Sequence, residues 1–259
     1  MAPVKIIFFD VDGTLVDPAT GRIPEKTYLA LNRLHEKGIL ICIATGRPSA
    51  SLPDLTGLHV DVLCAFNGSL CYTDQQVIYS NPLSAGDVAT VIQNAAAIER
   101  PVSIAVRDRL VANGVEPDLA DYYRLAGLTL TASEDFGEAC REPVYQIMVG
   151  CRPEDHDTLV KGADGAKVAV SWDRAVDIIP ASSGKGIAIP KILSFFGLDA
   201  SQAMAFGDSY NDIDMLRSVG TGIAMGNAPA QLKSVASDVC GHVSRDGIYH
   251  YCSEHGLLD

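Results

Sequence analysis

The sequence has no surplus of basic residues: 20 Lys and Arg stand against 32 Asp and Glu, a formal charge of −12. That excludes a general nucleic-acid binder, which needs a basic face, and argues against an anionic membrane surface as partner. No apolar run reaches the roughly 18 residues of a membrane span. The opening residues Met-Ala-Pro-Val-Lys lack a basic stretch followed by an apolar one, so no secretory leader is expected. The seven cysteines (Cys42, Cys64, Cys71, Cys140, Cys151, Cys240, Cys252) form no Cys-x-x-Cys pair. An odd count without a leader reads as reduced thiols in the cytoplasm, most of them small buried hydrophobes. No internal repeat and no low-complexity tract interrupts the chain. Asn67-Gly68-Ser69 matches the N-glycosylation triplet, but without an export signal it calls for another explanation.

What is present is ample apolar material. The chain has 259 residues, 47% of them hydrophobic, enough for one large or two modest domains. Its first third alternates short apolar strands (4–9, 39–44, 62–65) with a helix over 25–37 that stops at Gly38. The middle changes character. A helix over 84–98, a hairpin at 102–106 and 110–112, a helix over 116–126, another near 153–161 and further strands at 144–149, 167–171 and 176–179 suggest a separate antiparallel sheet. After Pro180 the alternation resumes, with helices over 185–196, 211–219 and 228–235 and strands at 203–206, 221–224 and 238–240. The expected fold is α/β: a Rossmann-like, doubly wound parallel sheet core of residues 1–82 and 183–259, interrupted by an α+β module of residues 83–182.

Four clusters carry chemistry, each at a strand end or helix start. In Ile-Ile-Phe-Phe-Asp10-Val-Asp12-Gly13-Thr14, two carboxylates end a wholly apolar run. Side chains two residues apart share one side of a strand, and in open parallel sheets ligands bind at the carboxyl ends. Like charges so close need a compensating cation or a shared proton, which points to a hard ion such as Mg²⁺. Thr45-Gly46-Arg47 offers a hydroxyl and free N–H groups at a strand-to-helix turn, which suits a phosphate. Lys185 opens a helix, where a cation opposes the dipole unless an anion faces it. The surrounding Ser182-Ser183-Gly184-Lys185-Gly186 is not a Walker loop: Ile179 stands where its first glycine belongs, and Gly186 where Ser or Thr belongs. Finally, Gly207-Asp208-Ser209-Tyr210-Asn211-Asp212 closes another apolar strand with acids and an amide. Singly, each has a plain alternative as helix cap, turn or solvated lysine. Gathered by one sheet, they make a phosphoryl-transfer site.

These motifs make the chain resemble the haloacid dehalogenase-like hydrolases, and among them the Cof-type subfamily with a type 2 cap (subclass IIB). Asp10-Val-Asp12-Gly-Thr-Leu, Thr45-Gly46-Arg47, Lys185 and Gly207-Asp208-Ser-Tyr-Asn211-Asp212 match the four superfamily motifs in order. Asn67-Gly68, Gly226-Asn227-Ala228 and Asp246-Gly247-Ile248 resemble segments of the subfamily. The resemblance implies a phosphatase for small phosphorylated metabolites such as sugar phosphates, nucleotides or cofactor phosphates. It implies Asp10 as nucleophile and Asp12 as acid and base. Mg²⁺ would be held by Asp10, the carbonyl of Asp12, and Asp208. Thr45, Gly46, Lys185 and Asn211 would hold the phosphoryl group, with Asp212, Asn67, Gly68 and Arg47 in support. Residues 83–182 would be the cap, in which Arg107, Arg109, Tyr122 and Tyr123 are candidate substrate contacts and Trp172 reads as packing.

Three rival readings share these motifs. A phosphosugar mutase would move the phosphate within a sugar. A phospho-acceptor switch also combines acids, a hydroxyl and a lysine, but its acid pair would not lie on the first strand with a second carboxylate placed for proton transfer. A silent binding protein is at odds with four intact motifs. The sequence specifies neither the substrate nor the oligomeric state.

Overall fold

The computed structural model describes residues 3–259; Met1 and Ala2, the start of the expected core, lie outside the described residues. Strand β1 (Ile6–Phe9) is buried along its whole length. A strand without a polar side needs cover on both faces, which helices packed on either side of a sheet provide. The chain continues through α1 (Glu25–Glu36), β2 (Leu40–Ala44), β3 (Val62–Ala65), β4 (Leu70–Tyr72) and β5 (Val77–Ser80). Next come α2 (Ala85–Ala97), β6 (Val102–Ala105), β7 (Leu110–Ala112), α3 (Pro117–Leu125), α4 (Phe136–Ala139), β8 (Gln146–Gly150), α5 (His156–Val160), β9 (Ala166–Trp172) and β10 (Ala175–Pro180). It ends with α6 (Lys185–Phe196), β11 (Ala203–Gly207), α7 (Ile213–Arg217), β12 (Thr221–Ala224), α8 (Ala230–Lys233), β13 (Asp238–Val239) and α9 (Gly247–Glu254).

The larger sheet has the order β13-β12-β11-β1-β2-β3-β4-β5. Pairing is parallel from β13 to β3, with Ile6 beside both Ala203 and Leu40, and Phe9 beside both Phe206 and Ile43. Only β4 runs the opposite way, so the β3–β4 and β4–β5 pairings are antiparallel. Alternation sends Ile7, Phe9, Ile41 and Ile43 to one face, where Leu31 and Leu34 of α1 and Ile248 and Tyr251 of α9 cover them. Ile6, Phe8, Cys42 and Ala44 face the other side, under Ile189 and Ile192 of α6 and Met215 of α7. The sheet is therefore wound on both faces. Helix α6 carries Pro190, which cannot donate to the Gly186 carbonyl one turn back. The Ser218 hydroxyl donates to that carbonyl instead, at 3.2 Å.

The second sheet has the order β7-β6-β8-β10-β9 and is antiparallel throughout. Val102, Ile104, Ile147, Val149, Val176 and Ile178 form its core with Val88 and Val91 of α2 and Leu159 of α5. The starts of its longer helices are capped. The Ser84 hydroxyl accepts from Asp87 N–H, and the Glu116 carboxylate from Asp118 and Leu119 N–H ahead of Pro117.

The chain divides into two compact units: residues up to Gly46 with Pro53–Ser80 and Gly184–Asp259, and Arg47–Leu52 with Asn81–Ser183. Residues 47–52, expected in the first unit, group with the second; there the Arg47 guanidinium donates to the Ser51 carbonyl at 2.8 Å. Four other expectations change. Strands β4 and β5 lie outside the expected elements: they are short, and β5 is half exposed with no alternating pattern. The helix expected over 211–219 starts as a 3₁₀ turn at Tyr210–Asp212 and is helical only over Ile213–Arg217. Pro229 restricts the one expected over 228–235 to Ala230–Lys233. Helix α9 is not among the expected helices; Asp246-Gly247-Ile248 gives no helical period.

Phe206 lies at the middle of the sheet, stacked on Phe9 with ring centroids 5.4 Å apart and edge-on to Tyr251 at 5.6 Å. Phe206→Ala should lower the unfolding free energy by about 3–5 kcal/mol in a urea titration.

Candidate active site

The candidate residues of the first unit sit where its parallel strands end. Asp10 follows β1, Thr45 follows β2, Asn67 follows β3, Asp208 follows β11, and Lys185 opens α6. Lys185 is fully enclosed, and its Nζ donates at 2.6 Å to Asp10 Oδ1 and at 2.6 Å to Asp212 Oδ1. The anion demanded by a lysine at a helix start is thus a pair of carboxylates. Asp212 Oδ2 accepts from the N–H groups of Asp208 and Ser209, both at 3.0 Å. Both oxygens of Asp212 are therefore committed to holding Lys185 and the turn after β11.

Asp208 is held from two sides. Thr14 Oγ1 donates to its Oδ1 at 3.1 Å, and Asn227 Nδ2 to its Oδ2 at 3.3 Å. Asn227 also donates to the Gly13 carbonyl at 2.7 Å and accepts from Val243 N–H at 3.1 Å. Gly13 has φ +84°, and a Cβ there would come within 2.2 Å of Asp208 Oδ2. Only glycine allows the Asp12-Gly13 turn and the β11 loop to close on each other.

Asp10, Asp208 and Asp212 each offer a carboxylate oxygen within 4.8 Å of the others. Burial raises Asp10 well above the usual carboxylate range, opposed by Lys185 and reinforced by Asp212 and Asp208. Asp208 is pushed up to about 6, by burial first and the Asp212 charge second. Burial pulls Lys185 down, but Asp10 and Asp212 outweigh it, and the ammonium is held more tightly than an ordinary lysine. Three carboxylates against one ammonium leave surplus negative charge in a largely buried place. An all-oxygen donor set of this kind suits a hard cation such as Mg²⁺. Asp10 and Asp208 are the acids available to one, since Asp212 is already engaged. Asp12 differs from Asp10: its side chain is exposed, and its backbone forms a bridge with Val16.

Across the strand ends, Thr45 is buried; its carbonyl accepts from Asn67 N–H at 2.9 Å. Phe66 and Asn67 both adopt left-handed conformations, φ +53° and +52°, and Gly68 follows at φ +87°. Such a run costs on the order of 1–3 kcal/mol per non-glycine residue and persists only where its surroundings enforce it. It brings Asn67 Oδ1 to Asn211 Nδ2, which donates at 3.1 Å. A Cβ on Gly46 would lie 3.1 Å from the Asn67 amide, and one on Gly68 would lie 2.5 Å from the Gly184 carbonyl. Thr45, Gly46, Asn67, Gly68 and Asn211 are so brought together beside the start of α6. Arg47 belongs to the second unit. The sequence reading gave no role to Asn227 or Asp214, whose carboxylate accepts from Gly186 N–H at 3.1 Å beside Lys185. Asn227 carried a usable signal, a polar amide just past an apolar strand.

Of the proposed contacts in the second unit, Arg109 is paired with Asp135 and Glu142, and Tyr123 is buried with its hydroxyl against Ser103. The Tyr122 hydroxyl donates to Asp177, and its ring stacks on Trp172 at 6.1 Å. Arg107 lies 3.7 Å from Asp108.

Because Asp212 both holds Lys185 and satisfies two N–H groups, Asp212→Ala should destabilise the chain by about 3 kcal/mol in urea denaturation, more than a surface aspartate could.

A family model described as haloacid dehalogenase-like hydrolase matches residues 7–252. YkrA of Bacillus subtilis (strain 168) is 31% identical over 257 residues, covering 98% of both chains. An HMP-PP phosphatase of Enterobacter sp. (strain 638) is 30% identical over 262 residues, covering 95% of this chain and 94% of that protein. The solved structure of BT4131, a HAD subclass IIB sugar phosphatase, superposes with a TM-score of 0.86 at 28% identity, covering 98% of this chain and all of that one. No helix among the described residues is long and apolar enough to cross a membrane. This chain belongs to the haloacid dehalogenase-like hydrolases, as a phosphatase of their Cof type.

Proposed function

We propose that the chain is a Mg²⁺-dependent phosphomonoesterase acting through an aspartyl-phosphate on Asp10. The observation that carries this reading is the contrast between its two paired acids. Asp10 is buried and hydrogen-bonded to Lys185 at 2.6 Å, whereas Asp12, two residues on, is exposed. A fixed carboxylate suits a nucleophile, and an exposed one can exchange protons.

In the first step an Asp10 oxygen forms a bond to phosphorus and the ester P–O bond breaks. Asp12 gives its proton to the leaving alkoxide, which departs as an alcohol. In the second step Asp12 takes a proton from water as that water attacks the phosphorus. The bond to Asp10 breaks, inorganic phosphate leaves and the carboxylate is restored. Lys185, Thr45 and the Gly46 N–H hold the phosphoryl oxygens, and Asn211, fixed by Asn67, orients the group. Asp212 keeps Lys185 charged and in position. Asp10, Asp208 and the Asp12 carbonyl would hold Mg²⁺, which when bound offsets the charge of the carboxylates and of the phosphoryl oxygens.

The second unit, residues 83–182 as read from sequence, acts as a cap that excludes water and contributes substrate contacts. Substrates are small phosphorylated metabolites: sugar phosphates, nucleotides or cofactor phosphates. The relatives named for HMP-PP and for sugar phosphate hydrolysis support that range. The seven free cysteines and the acidic charge fit a cytoplasmic enzyme without a nucleic-acid partner.

Phosphate release from a panel of phosphomonoesters should stop on chelation and return with Mg²⁺. Asp10→Asn should lower turnover by at least about 10³-fold while near-native phosphate binding and thermal unfolding remain. Near-wild-type turnover by that variant would exclude Asp10 as nucleophile. Asp12→Ala should slow alkyl phosphates far more than p-nitrophenyl phosphate, whose leaving group needs no proton; equal losses would remove Asp12 from the acid role. A phosphorylated chain that never turns over would mark a switch, and a rearranged sugar phosphate formed with a bisphosphate activator would mark a mutase.

A further inference from the structure

A second group of metal-ligating side chains lies in the first unit, away from the acids that follow β1 and β11. His35 sits in the last turn of α1, and His59 and Asp61 lie just before β3. All three are therefore near the residues that begin β2 and β3, whereas the catalytic candidates follow the last residues of the parallel strands. Each offers one ligand atom, and these atoms lie within 4.8 Å of one another.

The carboxylate of Asp61 is fixed. Its Oδ2 accepts from Ile41 N–H at 2.8 Å, and its own N–H donates to the Ile41 carbonyl at 2.9 Å, so it is built into the edge of β2. Each of its oxygens faces one imidazole: Oδ1 is 3.2 Å from His59 Nε2, and Oδ2 is 3.9 Å from His35 Nδ1. The two rings stack with centroids 3.7 Å apart and planes 21° apart. The C-terminal end of α1 adds a partial negative charge beside His35.

We propose that His35, His59 and Asp61 form a second metal site, for a borderline divalent ion such as Zn²⁺. Two imidazoles and one carboxylate are donors that such ions prefer and that Mg²⁺ does not. In a tetrahedral site with bonds of about 2.0–2.1 Å, neighbouring donors stand roughly 3.3 Å apart. The 3.2 Å between His59 Nε2 and Asp61 Oδ1 matches one edge of that tetrahedron, and His35 supplies the third ligand atom within the 4.8 Å group. His59 and Asp61 also line an open concavity of about 650 Å³, which leaves room for water as the fourth ligand. A bound ion would tie the end of α1 to the start of β3 and raise stability without entering phosphate chemistry.

The test is a Co²⁺ titration of the full chain in excess Mg²⁺, read by visible absorption, which is intense for four-coordinate Co²⁺ and weak for octahedral ions. One equivalent should develop the intense band and Zn²⁺ should abolish it. His35→Gln and His59→Gln should each lose the band while keeping their Mg²⁺-dependent phosphatase turnover, which also reports folding. Asp10→Asn should retain the band. Zn²⁺ should raise the thermal midpoint of the wild type and not of the His35→Gln/His59→Gln double variant. Absence of the band in the wild type, its persistence in the double variant, or its loss in Asp10→Asn would each overturn the proposal.

Discussion

The site depends on one buried ammonium. Lys185 has no contact with solvent, and two carboxylates share it. Removing such a charge from water costs several kcal/mol and is offset only when its hydrogen bonds are completed. The chain surrounds this pairing with supports. Gly68 allows the β3 turn to lie against the Gly184 carbonyl, and Asp214 accepts from Gly186 N–H. Asp212 passes the constraint on to the turn that presents Asp208. Lysine position, acid position and backbone turn are thus set together.

Much of this could be read from residue order, because apolar runs and the polar groups that end them are local signals. β1 ends one residue before Asp10, and β11 one residue before Asp208. Helix α6 starts at Lys185, as its spacing predicts. What the sequence hid is non-local. Asn227 bonds to Gly13 and Asp208, 214 and 19 residues away; its neighbourhood marks it as a polar group past a strand but not those partners. β4 and β5 acquire strand geometry from β3, not from their own pattern. The candidacy of Tyr123 and Arg109 as substrate contacts rests on residue type alone. Their actual partners, Ser103 for one and Asp135 with Glu142 for the other, are set by the tertiary fold.

Polar chemistry is distributed unevenly along the larger sheet. At the carboxyl ends of its strands lie oxygen donors crowded around a lysine; at the beginnings of β2 and β3 lie imidazoles around a single carboxylate. Hard and borderline cations would be sorted between these places by donor chemistry, since neither group offers what the other ion prefers.

The order of the strands also sets the order in which the molecule can be built. β1 lies between β2 and β11, and the bonds that complete the site span long stretches of chain: Asp10 to Lys185 is 175 residues, Thr14 to Asp208 is 194, and Gly13 to Asn227 is 214. Contacts so distant are slow to find one another. During synthesis the antiparallel unit can fold as soon as Ser183 has been made, while β1 still lacks a neighbour on one side. The candidate site is consequently among the last parts of the chain to take shape, although its first acid is among the first residues to be made.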